Sequence, residues 1–420
     1  MPAGSVVVNF DTHCYLSDPY RVSFSSRVAE AEPMGNGLFA VYLDETYFYP
    51  DSGGQPDDRG TLGGNPVVAV AESERGVRHL VQGELHAGME VEGRIDWERR
   101  FDHMQQHTGQ HLLSRVFLEE YKLRTVSFHL GEEICTIDLE GGAPSGENLD
   151  AAETKANHFV FKNVPISCRI VGADEFAAIP RPGSGSPVLR SRLPEGIDRV
   201  RIVEIEGFDS STCCGTHVRS TGEIGIIKIL GLEKIKGNAR VEFMCGGRAA
   251  KDYAGKHVLL GVLASGFSTD WREMPRIVEK LTEENKELRK KSEELGHELA
   301  GFRAAEFSKP TSAAGGFDVV QRIFSTGDAV SLRETATQIR AMGKKIVLFG
   351  LSGPSPALIF ACSVEVPLNM GEIMRASAAV IGARGGGGKD FAQGGGGDGS
   401  RIAEALGAAE RTIRETLGAR

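Results

Sequence analysis

Short apolar runs separated by turn-forming residues dominate the first hundred positions. The runs at 5–10, 37–43 and 66–71 are rich in valine, leucine and phenylalanine, and glycine, aspartate and proline surround them. Runs of this length and composition are typical of β-strands, and the residues between them are typical of tight turns. The pattern therefore predicts a small β-barrel in residues 1–95, the first domain of an α+β multidomain protein.

A helical period replaces this pattern from 96 to 120, where a polar half precedes an apolar half. Strand-like runs resume at 134–139 and again between 200 and 230. Four prolines and three glycines predict a loop at 180–196. Residues 96–255 are therefore predicted to form a second domain of the α+β class.

A seven-residue repeat runs through positions 272–308, with Glu, Lys and Arg dominating between its inner positions. The inner positions are occupied by Val278, Leu281, Asn285, Leu288, Ser292, Leu295, Leu299 and Phe302. Such heptads predict a long helical arm over 270–308. Two alternatives stay open: the helix packs on its own domain, or it pairs with another helix as a coiled coil and holds a homodimer together. Gly296 and Gly301 would weaken a long isolated coiled coil.

Helical and strand-like segments alternate after the arm. The segments at 328–342 and 400–417 have a helical period, and those at 346–350 and 357–362 have the apolar composition of buried strands. This alternation predicts a small α/β domain over residues 311–420.

Composition excludes several classes of protein. The chain has 420 residues, of which 40% are hydrophobic and 25% charged, so a largely disordered protein is excluded. No apolar run approaches the roughly 20 residues of a membrane-spanning helix, and the first residues lack the pattern of a secretory signal. The seven cysteines are an odd number spread over a long chain, which argues against a disulfide framework. We therefore expect a cytoplasmic protein without a membrane partner.

Two short motifs place a histidine four residues from another metal-binding side chain. Residues 107–111 read HTGQH on the predicted helix, and residues 213–217 read CCGTH. Side chains four apart lie on one face of a helix, one turn apart, so such a pair can reach a single ion. Three imidazoles and a thiolate suit zinc. The spacing predicts one zinc ion per chain with four ligands: His107, His111, Cys213 and His217.

The second motif leaves two points open. Cys214 is a neighbouring thiol, but only Cys213 lies four residues from His217, so Cys213 is the expected ligand. A zinc ion with four protein ligands can also be purely structural, because a catalytic zinc normally keeps one coordination position open. Catalysis by a zinc ion with these four ligands requires a loosely held fourth ligand or expansion to five-coordination.

These zinc motifs resemble those of the alanyl-tRNA synthetase editing domain, which usually carries Cys-Gly-Gly-Thr-His; here Cys214 replaces the first glycine. Residues 48–60, FYPDSGGQPDDRG, look like the glycine-rich element of the β-barrel that precedes that domain. Residues 221–225 and 236–242 continue the match, and residues 385–395, GGGGKDFAQGG, resemble the glycine-rich motif of the DHHA1, or C-Ala, domain. These motifs occur in the family's order over nearly the whole chain.

The chain is thereby identified as a member of the freestanding alanyl-tRNA editing proteins of the long AlaX type, since no aminoacylation domain precedes the barrel. The resemblance implies a zinc-dependent deacylase that hydrolyses mischarged tRNA(Ala) in trans and without ATP, as part of protein biosynthesis. Serine is the expected amino acid and glycine a further candidate. The alternative is a non-catalytic tRNA-binding protein with a structural zinc. A DHH phosphoesterase is disfavoured because the Asp-His-His motif is absent.

Discrimination of serine from alanine requires a polar group in the substrate pocket, because a site built to hydrogen-bond a hydroxyl rejects the analogue that lacks it. The resemblance places a pocket residue about 21 positions after the first histidine, at Phe128, which cannot supply that bond. Ser127 or His129 is then the expected contributor. Thr108, on the ligand helix, is a further candidate. Gln55, which follows two glycines, either lines the pocket or belongs to a tight turn.

The net charge of −9 argues weakly against a polyanionic partner, but phosphate contacts need only local Lys and Arg. Residues 311–420 contain 12 basic and 10 acidic residues, against 36 and 47 in residues 1–310. The C-terminal domain is therefore the predicted tRNA-binding part. Bare backbone N–H groups of its glycine run can approach phosphate closely, although a flexible loop is the alternative. The candidate tRNA-binding residues are Arg384, Gly386, Gly387 and Lys389.

Overall fold

The computed structural model describes residues 12–179, 199–235 and 237–418, which belong to two units, Met1–Leu263 and Ala264–Arg420. The predicted strand at 5–10 and the predicted loop at 180–196 lie outside the described residues. Within the described ranges, no helix combines the length and the apolar composition needed to cross a membrane.

The predicted N-terminal barrel is confirmed as a closed sheet of six strands: β1 (Ser23–Gly35), β2 (Leu38–Leu43), β3 (Gly60–Leu62), β4 (Asn65–Ser73), β5 (Gly76–Gln82) and β6 (Glu90–Ile95). They pair in the order β1-β2-β5-β4-β3-β6. Successive residues of a strand point to opposite faces, and in β6 Val91 and Ile95 are buried while Glu92 and Arg94 are exposed. This alternation fills the barrel with apolar side chains and keeps charged residues outside.

Helix α1 (Trp97–Tyr121) follows the barrel directly and agrees with the predicted helix. The carboxylate of Asp96 accepts a hydrogen bond from the Arg99 N–H and caps its first turn, and Lys122 ends it in the left-handed conformation. The rest of this unit contains β7 (Arg124–Leu130), β8 (Cys135–Glu140), α2 (Gly146–Lys162), β9 (Ile166–Gly172), α3 (Ala173–Ala178), β10 (Arg199–Ile205), β11 (Asp209–Thr212), β12 (Ile227–Ile235), β13 (Asn238–Cys245) and the start of α4 (Gly246–Gly266).

Two antiparallel sheets accompany α1, one in the order β12-β13-β8-β7 and one in the order β11-β10-β9. The apolar half of α1 shares one core with the four-stranded sheet, where Leu112 and Phe117 are fully buried together with Ile137 and Val241. Helix α2 closes this core through Ala152 and its neighbours. The mixed helix and strand content confirms the predicted class of this part of the chain.

A buried ion pair joins α1 to the barrel. The Arg100 guanidinium and the Asp58 carboxylate are both fully buried, and Arg100 Nε donates to Asp58 Oδ1 at 3.0 Å. The remaining guanidinium N–H groups donate to the carbonyls of Pro19 and Tyr47, each at 2.6 Å, and Asp58 also accepts from the Tyr49 N–H at 2.6 Å. Breaking such a pair leaves a buried charge and costs about 3–5 kcal/mol. The pair therefore fixes α1 against the barrel.

The second unit is built on a six-stranded sheet of β14 (Ser312–Ala314), β15 (Phe317–Phe324), β16 (Lys345–Leu351), β17 (Ala357–Cys362), β18 (Arg384–Gly387) and β19 (Phe391–Gly395). Its order is β14-β15-β16-β17-β19-β18, and β15 and β16 are parallel while the other pairs are antiparallel. Helices cover both faces: α5 (Met274–Phe307) and α6 (Ala329–Ala341) on one, α7 (Met370–Val380) and α8 (Ile402–Thr416) on the other.

The glycine run of this unit is a paired edge strand rather than the flexible loop that the sequence left open. Gly385 and Gly387 of β18 pair with Gly394 and Ala392 of β19. A Cβ atom at Gly385 would lie 2.8 Å from Cγ of Met374, and one at Gly387 would lie 2.3 Å from a carbonyl oxygen of β19. The absence of side chains therefore lets β18 lie close to α7 and to its partner strand.

The heptad segment forms α5, a single helix of 34 residues. Ala300 and Ala304 near its C-terminal end are buried, and Ala304 belongs to the core with α6. The heptad residues before them are exposed, with Leu288 at 66% and Leu295 at 56%. Only the last turns of the helix therefore pack on the sheet of this unit.

One histidine lies in the interior of the barrel. Nδ1 of His79 donates to the Val41 carbonyl, 3.0 Å away, and Nε2 accepts from the Thr46 hydroxyl, 2.8 Å away. Both nitrogens are thus used by the neutral ring. Burial lowers the pKa of His79 to about 4 from an ordinary value of 6.5, so the ring is uncharged at neutral pH.

We expect acid to destabilise the barrel through His79. The unfolded chain binds a proton there with a pKa near 6.5, whereas the folded barrel excludes it until about pH 4. The stabilisation is complete above pH 6.5 and is lost as the pH falls towards 4, with a loss of about 2 kcal/mol at pH 5. Urea unfolding at pH 8 and pH 5 should show this loss in the wild type and a smaller one in His79→Asn. Equal losses in the two proteins would contradict the expectation.

Candidate metal centre

The middle of α1 is buried although many of its residues are polar. Among the residues that are less than a tenth exposed are His103, Gln105, Gln106, His107, Thr108, Gln110, His111 and Ser114. Buried polar groups need hydrogen-bond partners or a ligand. This polar stretch of α1 therefore lies in the interior of the protein.

The four predicted ligands meet at this site. His107 and His111 come from successive turns of α1, and Cys213 and His217 come from the segment after β11. Their ligand atoms all lie within 4.8 Å of one another, and Cys213 Sγ is 3.3 Å from Nε2 of both His107 and His217. A tetrahedral ion with bond lengths of about 2.0 Å to nitrogen and 2.3 Å to sulfur places such atoms roughly 3.5 Å apart. The set therefore fits a divalent transition metal.

Cys213 and His217 meet as predicted, but the helical turn expected from their spacing is wrong. Residues 213–217 are irregular rather than helical, so their separation of four does not represent one helical turn. The segment bends instead, and the Gly215 N–H donates to Cys213 Sγ at 3.3 Å. A Cβ atom at Gly215 would lie 2.1 Å from the His107 ring. Glycine is therefore required where the bend passes the first ligand.

Hydrogen bonds on Nδ1 orient the histidine rings. The Thr108 hydroxyl donates to the Met104 carbonyl at 2.7 Å, so its oxygen accepts from Nδ1 of His217 at 3.2 Å. Nε2 of His217 is then unprotonated and faces Cys213. Nδ1 of His111 lies 2.9 Å from the Ser211 hydroxyl. Such outer contacts fix the tautomer and the orientation of a metal-binding histidine.

Burial keeps the imidazoles of His107 and His217 neutral. It lowers the pKa of His107 to about 3, and together with the two neighbouring imidazoles it holds the pKa of His217 well below its ordinary value. Burial also raises the pKa of the Cys213 thiol to about 12, and the nearby positive charge of Arg201 opposes that rise. Neutral imidazole is the form that binds a metal, and a bound cation would favour the thiolate of Cys213.

Arg201, on β10, fixes the segment that carries Cys213 and His217. Its guanidinium is buried and donates to the carbonyls of Cys213 at 2.8 Å and Gly215 at 2.9 Å. Nε donates to the Leu16 carbonyl, at the edge of the barrel, at 3.1 Å. One side chain therefore fixes the backbone of the second motif and connects it to the barrel.

The sequence candidates for the substrate pocket have different positions. Ser127 and His129 are exposed on β7, whereas Phe128 faces the cluster with its ring centre 5.5 Å from that of His107. Thr108 is fully buried and binds His217. Gln55 is also fully buried and contacts His107. β7 thus presents an aromatic ring to the site and exposes the polar neighbours of that ring.

Cys214 lies outside the four-residue cluster and packs against the apolar core of the barrel. Sequence reasoning missed Ser211 and Arg201, which contact the ligands or their backbone. Both precede the cysteine motif on strands, where a serine or an arginine gives no signal of its own.

The candidate tRNA-binding residues all lie in the second unit. Arg384 begins the edge strand β18, Gly386 and Gly387 continue it, and Lys389 follows in the turn before β19. The side chains of Arg384 and Lys389 are exposed. An ordered, glycine-lined edge with a cation at either end is therefore accessible on this unit.

Two family profiles match the chain. The profile described as "Threonyl and Alanyl tRNA synthetase second additional domain" matches residues 200–242, which include the cysteine motif. The profile described as "DHHA1 domain" matches residues 318–415, which form most of the second unit.

Full-length relatives show the same similarity. "Alanyl-tRNA editing protein Aarsd1" of Rattus norvegicus is 34% identical over 81% of this chain and 86% of its own length, and its Danio rerio counterpart is 35% identical over 71% and 73%. "Alanine--tRNA ligase" of Methanothrix thermoacetophila is 32% identical over 91% of this chain but only 43% of the ligase. The C-Ala domain of Aquifex aeolicus alanyl-tRNA synthetase is 24% identical over 24% of this chain and 96% of that domain, at a TM-score of 0.24, too low to support an argument.

We expect the chain to bind one equivalent of zinc or cobalt through Cys213. Cys213→Ser removes the thiolate and should weaken binding at least about 100-fold. Cys214→Ser is the matched control, because its side chain packs on the barrel, and it should bind like the wild type. Competition with a chromophoric chelator measures both variants. Less than about half an equivalent on the wild type, or a larger loss in Cys214→Ser, would contradict this assignment.

Proposed function

The chain belongs to the family of alanyl-tRNA editing proteins, and we propose that it is a zinc-dependent deacylase that hydrolyses the ester of seryl-tRNA(Ala) in trans. The observation that carries the proposal is the buried cluster of three imidazoles and a thiol. Two of its four residues, Cys213 and His217, lie within residues 200–242, which match the second additional domain of threonyl- and alanyl-tRNA synthetases. Glycyl-tRNA(Ala) is proposed as a second substrate.

Hydrolysis of an aminoacyl ester demands little bond activation, since the ester is already labile. The enzyme gains most by positioning the ester and a water molecule and by stabilising the developing negative charge. Zinc, when bound by His107, His111, Cys213 and His217, supplies Lewis acidity at that position. The protein supplies orientation: it holds the rings of His111 and His217 through Ser211 and Thr108, and it places the Phe128 ring beside His107.

We assign the recognition of the serine hydroxyl to Gln110. Thr108 is occupied by His217, and Ser127 and His129 are exposed. Gln110 is 4% exposed and lies three residues after His107, on the same side of α1. Its Nε2 donates to Ser114 Oγ at 2.6 Å, while its Oε1 has no hydrogen-bond partner among the described residues. A buried amide oxygen of this kind would accept from a serine hydroxyl and would be left unpaired by alanine.

The closed set of four protein ligands also supports a second candidate function. A zinc ion that already has four protein ligands is typical of structural sites. In that case the protein would bind tRNA without hydrolysing it, and the metal would hold α1 to the segment after β11. The two functions predict the same metal content and different behaviour towards the ester, so an activity assay separates them.

We propose that the second unit binds tRNA(Ala) through the β18 edge. Its glycine residues leave the backbone accessible, and Arg384 and Lys389 add two exposed cations. Residues 311–420 carry a small excess of positive charge, in contrast to the rest of the chain. Phosphate contacts of this type give affinity without reading base identity.

We also propose that α5 pairs with α5 of a second copy. The heptad positions Val278, Leu281, Leu288 and Leu295 are between 44% and 66% exposed, which is unfavourable for four large apolar side chains on one stripe. Pairing of two such stripes would bury them, and the acidic and basic residues on either side would remain in water. A monomeric chain in analytical ultracentrifugation would contradict this part of the proposal.

We expect release of serine from Ser-tRNA(Ala) at a rate that depends on the metal cluster. His107→Ala removes a ligand and should lower the rate at least about 100-fold. Gln110→Leu should retain the metal and hydrolyse Ser-tRNA(Ala) more slowly, with little change for Gly-tRNA(Ala), which has no hydroxyl. Release of labelled amino acid measures each substrate, with Ala-tRNA(Ala) as the unedited control. Wild-type release no faster than that of His107→Ala would refute the deacylase and leave the second candidate function.

We expect tRNA affinity to depend on the two cations that flank the glycine strand. The double variant Arg384→Ala/Lys389→Ala should weaken tRNA(Ala) binding several-fold, and the slope of log affinity against log salt concentration should fall by about 1–2. The zinc content should stay unchanged. Arg411→Ala/Arg414→Ala, on α8, controls for the loss of two charges from the same unit. An equal effect of both double variants, or no effect of the first, would contradict the assignment.

A further inference from the structure

The barrel contributes one side chain to the metal cluster. Gln55 belongs to the loop between β2 and β3, and no part of its side chain is exposed. Its Oε1 lies 2.8 Å from Nδ1 of His107, although the two residues are 52 positions apart in the chain. The first metal ligand therefore has its outer hydrogen bond to the barrel, whereas His217 and His111 have theirs to α1 and β11.

The orientation of the Gln55 amide is determined by Thr216, the neighbour of the fourth ligand. The backbone N–H of Thr216 can only donate, and it lies 3.1 Å from Oε1, so this end of the amide is the oxygen. Nε2 donates to the Thr216 hydroxyl at 2.8 Å. An amide oxygen can only accept, so Nδ1 of His107 carries the proton. Nε2 of His107 is then unprotonated and lies 3.3 Å from Cys213 Sγ.

The surroundings of Gln55 leave its side chain little freedom. Gln55 and Ser52 exchange backbone hydrogen bonds across a tight turn, and the carbonyl of Gly54 accepts from the Leu130 N–H of β7 at 3.1 Å. On the other side, a Cβ atom at Gly215 would lie 2.9 Å from Gln55 Oε1. The turn is thus attached to β7, and the amide is enclosed between the two metal-binding motifs.

We propose that Gln55 is a positioning residue of the metal centre, which fixes the tautomer and the ring orientation of His107 and joins the first motif to the second through Thr216. The barrel is then a component of the metal site and not only a neighbouring domain. The inference deepens the proposed function, since Gln55 acts on the reaction only through the ligand that it holds.

The test compares three full-length variants by metal affinity. Gln55→Leu removes the acceptor and should weaken the binding of Co²⁺ and Zn²⁺ roughly 10–100-fold in chelator competition. Gln55→Glu keeps an acceptor for His107 and for the Thr216 N–H, and should stay within about 3-fold of the wild type. Gln106→Leu is the matched control: Gln106 is equally buried and adjacent to His107, but it bonds to the backbone of Cys245 at 2.8 and 3.0 Å. It should leave the affinity unchanged even where it lowers stability.

A second readout follows the tautomer directly. In ¹⁵N-labelled protein, the His107 ring should carry its proton on Nδ1 in the wild type and in Gln55→Glu, and should lose that preference in Gln55→Leu. Wild-type affinity in Gln55→Leu, or an equal loss of affinity in Gln106→Leu, would overturn the inference. The metal titration contains no tRNA. A protein that does not deacylate tRNA can therefore still show the expected loss of metal affinity in Gln55→Leu, and the two failures are distinguishable. A wild type without metal affinity would overturn the inference together with the cluster.

Discussion

The buried ion pair between Arg100 and Asp58 is the constraint on which the candidate metal centre depends. Neither charge is exposed, and the donors and acceptors on both sides are used by the pair and by backbone groups around it. Asp58 follows Gln55 by three residues, and Arg100 precedes His107 by seven. The pair thus fixes the distance between a barrel loop and a ligand helix, and the hydrogen bond from His107 to Gln55 forms within that distance. Separating these two charges in the interior would cost more free energy than the hydrogen bond between His107 and Gln55 contributes.

Local geometry was predictable from the sequence, and contacts over long separations were not. His107 and His111 are four residues apart on a helix and therefore lie on one face of α1, so the pair was found from the pattern alone. The barrel, the helical arm and two strands of the C-terminal sheet, β16 and β17, likewise followed from local runs. The sequence offered Gln55 only as a pocket or turn residue and gave no signal for Arg201, because the partners of Gln55 lie 52 and 161 residues away and those of Arg201 as far as 185. Only the folded backbone brings these groups together.

Two features are explained only by their place in the fold. The glycines near the C-terminus looked compatible with a flexible loop, yet Gly385 and Gly387 form a strand whose neighbours leave no room for a Cβ atom. The polar half of α1 carries the predicted histidine pair, and the other polar residues between positions 103 and 111 are buried as well. In both cases the physical reason for the composition depends on the neighbouring element. Whether a polar group can be buried thus depends on the groups that surround it in the fold and not on the composition of its own segment.

The order of the ligands along the chain has a consequence for synthesis on the ribosome. Cys213 is added 102 residues after His111, so at 5–20 residues per second roughly 5–20 s separate the two halves of the site. During that interval the barrel, Gln55 and the histidine pair of α1 already exist, while the thiol and the third imidazole do not. Two imidazoles without a thiolate hold zinc only weakly. Metal capture at the proposed site would therefore be a late step of biogenesis, completed only after the segment following β11 has emerged.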